Sequence, residues 1–157
     1  MKNSRNPATT AVYLVLRNQG EVLLARRFNT GYQDGNYAVP AGHIDAGELP
    51  TEALVREVAE EIGIAIESTK ARFVHTLFRP KHDETGDRVD YFFEISEWSG
   101  EVKNLEPHKC DDLRWSRMDD LPSNMTPHVE HALRAIERGE TFSELGEAFL
   151  RANGYAE

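Results

Sequence analysis

Apolar positions in this chain run unbroken or alternate over several short stretches, and recur at helical spacing over two longer ones. Thr9–Leu16 is rich in β-branched and aromatic residues and reads as a strand. Asn18-Gln19-Gly20 is turn chemistry, so Glu21–Phe28 is predicted to return as the second strand of a hairpin. Residues 29–36 are loop by composition, and Tyr37–Val39 is a short extended piece that stops at Pro40. Pro50–Ile62 reads as a helix between Gly47 and Gly63. Arg72–Phe78 and Arg88–Trp98 are two further strands around a polar loop, Pro80–Asp87. The second strand sets Val89, Tyr91, Phe93 and Ile95 on one face and Arg88, Asp90, Phe92 and Glu94 on the other. Leu113–Arg117 is a last strand, and Thr126–Arg138 a helix with Val129, Leu133 and Ile136 inward, stopped by Gly139. Thr141–Ala152 is read as a final helical piece. There is no internal repeat or linker, so one domain over residues 1–157 is expected, with Met1–Pro7 as a loose lead-in. Strands with two or three helices outside them imply a mixed sheet in an α/β/α or α+β sandwich.

Composition narrows the function. The 157 residues are one domain's worth. Lys plus Arg is 18 and Asp plus Glu is 27, a formal net charge of −9. That balance argues against a nucleic-acid polymer or an anionic membrane as the partner, since both select basic faces. It permits a phosphorylated small molecule if a cation sits between. The single cysteine, Cys110, excludes an intrachain disulfide and a Cys-based zinc site. The apolar run Ala11–Leu16 is too short for a signal peptide or a spanning helix, and the cytosol is the expected compartment.

The chemistry concentrates in Gly42–Ile64. On a helical wheel with Leu54 at zero, Leu54, Val58, Ile62, Val55 and Ala59 fill an arc of roughly 0–140°. Glu57, Glu60 and Glu61 fall at roughly 300°, 240° and 340°, and Arg56 at roughly 200°, on the cluster's edge. Like charges at these spacings cost a helix a few tenths of a kcal/mol per pair. A merely solvated face would interleave lysine or arginine. The economical explanation is a hard dication, since Mg²⁺ takes oxygen ligands and shares itself with substrate phosphates. Arg56 is then placed to fix a neighbouring glutamate's rotamer. Gly42 lets the backbone pass close enough for its carbonyl to join. Glu48 adds an acid near the helix's positive end.

This segment resembles the signature box of the Nudix hydrolases. Gly42, Glu48, Arg56, Glu57, Val58, Glu60, Glu61, Gly63 and Ile64 stand at the box's positions with no mismatch. Seven of these demand one residue type, so a chance match at a given start is on the order of one in 10⁸. Ala41 stands where many members have a second glycine, and Asp45 where many have Glu. Leu49, at the expected N-cap, is a poor capping residue, while Pro50 suits the first turn.

The resemblance implies hydrolysis of a nucleoside diphosphate linked to a moiety X, in an α/β/α sandwich with a mixed sheet. It implies Mg²⁺ (or Mn²⁺) held by Glu57, Glu60 and Glu61 with the Gly42 carbonyl, and Arg56 orienting Glu57. The base is Glu57 first, with Glu106 as the late-loop alternative. Arg27 matches the place where relatives bring an arginine to the substrate phosphate. Glu48 and Asn124 complete the expected substrate side, Asn124 lying near where some triphosphate-cleaving members read the base. Tyr32, Tyr37, Trp98 and Trp115 offer faces able to stack a base, each more often core. Arg79 and His75 are expected at the surface, His43 without chemical work, and Cys110 half-buried. Ala25-Arg26-Arg27 resembles the small members that cleave nucleoside triphosphates, including oxidised ones. Pro80 resembles a mark of members acting on ADP-ribose. Nucleoside di- or triphosphates are therefore the expected substrates, with an ADP-ribose or nucleotide-sugar pyrophosphatase and a non-catalytic nucleotide sensor as alternatives. The oligomeric state stays open, a homodimer included.

Overall fold

The computed structural model describes residues 5–81 and 84–155. Its centre is β1, Ala8–Asn18, where Ala11 through Leu16 are all buried. That unbroken apolar run serves two faces at once, as expected of a central strand. Val12, Leu14 and Leu16 point into one hydrophobic cluster; Ala11, Tyr13 and Val15 point into the other. The first cluster is closed by α1, Pro50–Ile62, through Ala53, Leu54, Val58 and Ile62. The second is closed by α2, Pro127–Glu137, through Val129, Ala132 and Leu133. The result is the expected α/β/α sandwich.

The sheet is mixed. β1 pairs antiparallel with β2, Glu21–Arg27, and parallel with β6, Asp87–Ile95. Beyond β6 come β5, Arg72–Arg79, antiparallel, and β8, Phe142–Glu144, parallel to β5. β7, Cys110–Arg117, covers the outer edge of β2. Gln19 and Gly20 both take positive φ, 51° and 83°, which closes the β1–β2 hairpin with the twist strands prefer.

The functional consequence lies in where this hairpin stops. β1 and β2 pair only beside the turn, at Arg17–Val22 and Asn18–Glu21. They then part, and residues 37–43 wedge between them. β3, Tyr37–Ala38, pairs with β2, and β4, Ala41–His43, pairs with β1. Leu14 N–H donates to the Pro40 carbonyl at 2.8 Å, so the proline sits in the wedge without a lost donor. The parting of the strands opens a cleft above the sheet.

Two expectations are corrected. The last piece, read as helix from Thr141, begins instead as β8, and helix starts only at α3, Glu147–Ala152. Docking on the edge of β5, through Thr76 N–H to Thr141 O and Leu145 N–H to Phe78 O, overrides local propensity there. Arg79 and His75, expected at the surface, are 1% and 0% exposed. Each is buried because it is fully partnered: Arg79 by Asp90 at 3.0 Å, His75 by the Glu140 carbonyl and Ser143 Oγ, both at 2.8 Å. Of the expected lead-in, residues 1–4 lie outside the described residues, and residues 5–7 carry no regular structure.

Leu54, 1% exposed beneath the sheet, is the tightest test of the α1 layer. Leu54→Ala is expected to lower stability by about 2–5 kcal/mol, read as a fall in the urea midpoint at unchanged slope.

Candidate active site

One wall of the cleft is α1. Leu49 has no side-chain acceptor, and the helix start is satisfied instead by Glu52, whose carboxylate accepts the Leu49 N–H at 3.0 Å. Pro50 occupies the first turn, and Gly63, at φ 70°, ends the helix. The last carbonyls are taken by the loop that follows β6: Leu105 N–H donates to Glu61 O and Lys103 N–H to Ile62 O, both at 3.0 Å. Asn104 folds this loop on itself. Its Oδ1 accepts the Glu106 N–H at 3.1 Å, and its Nδ2 donates to the Cys110 carbonyl at 2.7 Å. The loop that carries Glu106 is thereby fastened to the helix that carries the box glutamates.

Arg56 is the hub of the box. Nε and Nη2 donate to the two Glu48 oxygens at 2.8 and 2.9 Å, Nη1 to Glu57 Oε1 at 2.8 Å, and Nη2 also to the His43 carbonyl at 3.1 Å. Arg56 holds the Glu48 carboxyl down to about 2, helped by the Asp45 N–H. Glu48 and Arg56 therefore staple the loop after β4 to the helix and set the Glu57 rotamer; neither lines the cleft. Glu57 lies directly over Gly42: a Cβ there would sit 2.0 Å from the Glu57 carboxyl carbon. Glu61 is half-buried beside it and accepts the Ala41 N–H. Burial, then the neighbouring Glu57 and Glu106 charges, push the Glu61 carboxyl well above the usual carboxylate range. Glu60 is exposed at the rim, 3.5 Å from Arg56.

These carboxylates share a cleft of about 720 Å³ with Arg26, Arg27, Arg79 and Arg88. Arg27 donates to the Tyr32 carbonyl at 2.6 Å, and its guanidinium lies 5.3 Å from the Tyr32 ring centre. The loop between them is braced by Asp34, which accepts from the Thr30 and Gly31 N–H groups and from Thr30 Oγ1. Below lies a buried polar network. Arg79 donates to Asp90 and, at 3.2 Å, to the Tyr32 hydroxyl. Tyr13 joins Asp90 to His128 Nε2, 3.1 Å away, and His128 Nδ1 lies 2.7 Å from the Tyr155 hydroxyl. The set is satisfied with the histidine proton on Nε2, Tyr13 donating to Asp90 and Tyr155 donating to Nδ1. Burial raises the Asp90 carboxyl against the pull of Arg79.

The donor set fits a hard dication. The acids supply only oxygen donors, Glu57, Glu60 and Glu61 crowd one helix face, and Gly42 leaves the room in which Glu57 sits. Among the described residues no group of three or more acidic, histidine or cysteine side chains is gathered so as to hold a metal ion by itself.

A model of the NUDIX domain matches residues 5–138. The chain belongs to the NUDIX family. It is a Nudix-type pyrophosphohydrolase, acting on phosphoanhydride bonds. This Nudix chain is 31% identical over 123 residues to the 8-oxo-dGTP diphosphatase of Escherichia coli (strain K12), covering 76% of this chain and 91% of that one. It is 29% identical over 126 residues to the NAD-capped RNA hydrolase NudC of Salmonella typhi, and spans just under half of that longer protein, 45%. Among solved structures it resembles a MutT NUDIX hydrolase from Burkholderia pseudomallei, with TM-score 0.74, 26% identity, and coverage of 82% of this chain and 97% of that one.

Against the residues singled out in the sequence, the Nudix cleft gathers Gly42, Glu57, Glu60, Glu61, Glu106 and Arg27 along its walls. Asn124 stays outside, exposed, with its Nδ2 donating to the Gly35 carbonyl at 2.8 Å. Tyr32 reaches the cleft, whereas Trp98 and Trp115 stack on each other elsewhere, with ring centres 6.1 Å apart. Tyr37 is core, its hydroxyl bonded to Asp112. Cys110 is half-buried with its thiol pushed up by burial, the wrong direction for a nucleophile. Sequence reasoning missed Asn104, whose only local signal is an Asn in a loop, and the Tyr13–Asp90–His128 floor, whose members are scattered along the chain.

Two outcomes follow from this geometry. Gly42→Ala is expected to displace Glu57 and to lower kcat by about 10²-fold or more in a folded protein, checked by steady-state kinetics beside circular dichroism. Glu48 supplies a pH signature. A carboxylate depressed in the folded state stabilises it above the ordinary value of 4.5, and this is lost as pH falls toward about 2. Urea midpoints of the native chain should therefore drop more steeply over that acid range than those of Glu48→Gln.

Proposed function

We propose that the chain hydrolyses the phosphoanhydride linkage of a nucleoside di- or triphosphate, or of a nucleoside diphosphate derivative, with Mg²⁺ (or Mn²⁺) as cofactor. The observation that carries this reading is one cleft lined both by the acids Glu57, Glu61 and Glu106 and by the guanidinium side chains of Arg27 and Arg79. Glu57, Glu60 and Glu61 would hold the metal, with the backbone of Ala41–Gly42 alongside. When bound, the dication supplies charge neutralisation of the diphosphate and a lower pKa for water. Arg56 keeps Glu57 in one rotamer, so no rearrangement is needed during the reaction. A carboxylate takes the proton of the attacking water: Glu57 is the first candidate and Glu106, which lines the same cleft, the second. Oxygen bonds to phosphorus, the phosphoanhydride bond breaks, and the leaving phosphate departs along the arginines. Glu48 serves through Arg56 rather than through the substrate, and Asn124 has no part in this reading.

The named activity of the Escherichia coli relative supports a nucleoside triphosphate over an ADP-ribose or nucleotide-sugar substrate. Every box acid is present, which favours hydrolysis over mere sensing. A free nucleotide in a cytosolic setting fits the net charge of −9 better than a polymer does. No helix among the described residues is long and apolar enough to cross a membrane.

The test is phosphate and pyrophosphate release from a panel of ordinary and oxidised nucleoside triphosphates, nucleoside diphosphates, ADP-ribose, nucleotide sugars and an NAD-capped RNA. Triphosphates should be turned over with Mg²⁺ or Mn²⁺ and not after chelation by EDTA. At saturating Mg²⁺, Glu57→Gln and Glu61→Gln should each lose about 10²-fold or more in kcat. Near-normal rates in both would sink the mechanism, and Glu106→Gln decides which acid is the base.

A further inference from the structure

Residues 139–155 lie beyond the family match, which ends at residue 138, yet they are built into the floor of the cleft. β8 docks on β5 just before Arg79, and the buried His75 ties it there through the Glu140 carbonyl and Ser143. α3 then buries Leu150, and the chain turns back so that Tyr155 N–H donates to the Leu150 carbonyl at 2.8 Å. Tyr155 is only 6% exposed. Its hydroxyl accepts the His128 N–H at 3.1 Å and donates to His128 Nδ1 at 2.7 Å. Its ring centre lies 6.0 Å from the Arg79 guanidinium and 6.1 Å from the Tyr32 ring. Arg79 and Tyr32 both line the cleft; Tyr155 stands behind them. Tyr32 in turn carries the Arg27 guanidinium on its ring.

We propose that Tyr155 is a positioning residue: fixed from behind by the C-terminal segment, it holds Arg79, Tyr32 and, through the Tyr32 stack, Arg27 as a preformed receptor for the anionic part of a nucleotide. The inference rests on the hydrolase reading above and concerns binding, not the chemical step. The physical reason is conformational entropy. Arginine side chains carry many rotamers, and each one ordered only on binding weakens affinity. A phenol wedged beneath Arg79 and against Tyr32 removes that loss beforehand. The acids are carried by α1 and the Glu106 loop, whereas Tyr155 bonds His128 and stacks against Arg79 and Tyr32, so metal binding and the attack on phosphorus are left as they were.

The experiment uses the full chain, the triphosphate that the native protein turns over, and saturating Mg²⁺. Tyr155→Leu should raise KM about ten-fold with kcat within about two-fold, the signature of lost ground-state binding. Tyr155→Phe keeps the ring and loses the hydroxyl's bonds to His128 and to the Tyr32 side chain, so its KM should rise about two- to three-fold. Mn²⁺ affinity, read by electron paramagnetic resonance without nucleotide, should match the native value in both. A native KM in Tyr155→Leu, or a loss carried by kcat alone, overturns the proposal. Should Tyr155→Leu fail to fold, Tyr155→Phe decides, and a native KM there overturns it equally. Absence of turnover in the native chain removes the hydrolase reading and this inference with it; turnover with native KM in the variants removes only the role of Tyr155.

Discussion

One close approach governs the active cleft: the Glu57 carboxylate occupies the space that any side chain at Gly42 would need. Three separate features must coincide for this to happen. β4 has to lie on β1 rather than continue the hairpin, α1 has to pack its Leu54 and Val58 stripe beneath the sheet, and Arg56 has to hold Glu57 in place. Each is supported independently, by the ladder, by buried apolar area and by a charge-assisted hydrogen bond. The acidic wall is therefore set by the packed body of the domain.

The cleft joins two ends of opposite charge, and the two are satisfied differently. At the acidic end the carboxylates crowd one another, and burial beside Glu57 and Glu106 raises Glu61. At the cationic end Arg79 is neutralised by Asp90 and sealed among Tyr13, His128 and Tyr155. A buried ion pair with its remaining donors satisfied contributes little net stability but strongly selects one arrangement. The pair that rigidifies the floor is built from β5, β6, α2 and the chain's end, so it depends on the whole second layer being in place.

How much was legible beforehand differs by residue. The spacing of Glu57, Glu60 and Glu61 against Leu54 and Val58 placed acid and apolar stripes correctly, because a helix converts sequence separation into direction. Glu106 was found only as a loop acid, since the hydrogen bonds that bring its loop to Glu61 and Ile62 join residues about forty apart. Asn124 and Glu48 were placed on the substrate side, and the tertiary arrangement turned one away to Gly35 and gave the other to Arg56. Arg79 and His75 looked superficial, because polar residues on a strand are normally solvated. Their burial depends on Asp90 and on the 139–145 segment, neither of which a local pattern points to.

Periodicity by itself determined a sandwich of sheet and helices and the helix that bears the acids, because both follow from short-range geometry. The α/β/α class and the phosphoanhydride chemistry came from the resemblance that the box motif carries. Only the folded chain decided where the hairpin parts, how the cleft opens, which arginines face it and that Tyr155 backs them. Those outcomes come from contacts between distant segments, where packing and hydrogen-bond satisfaction override local preference.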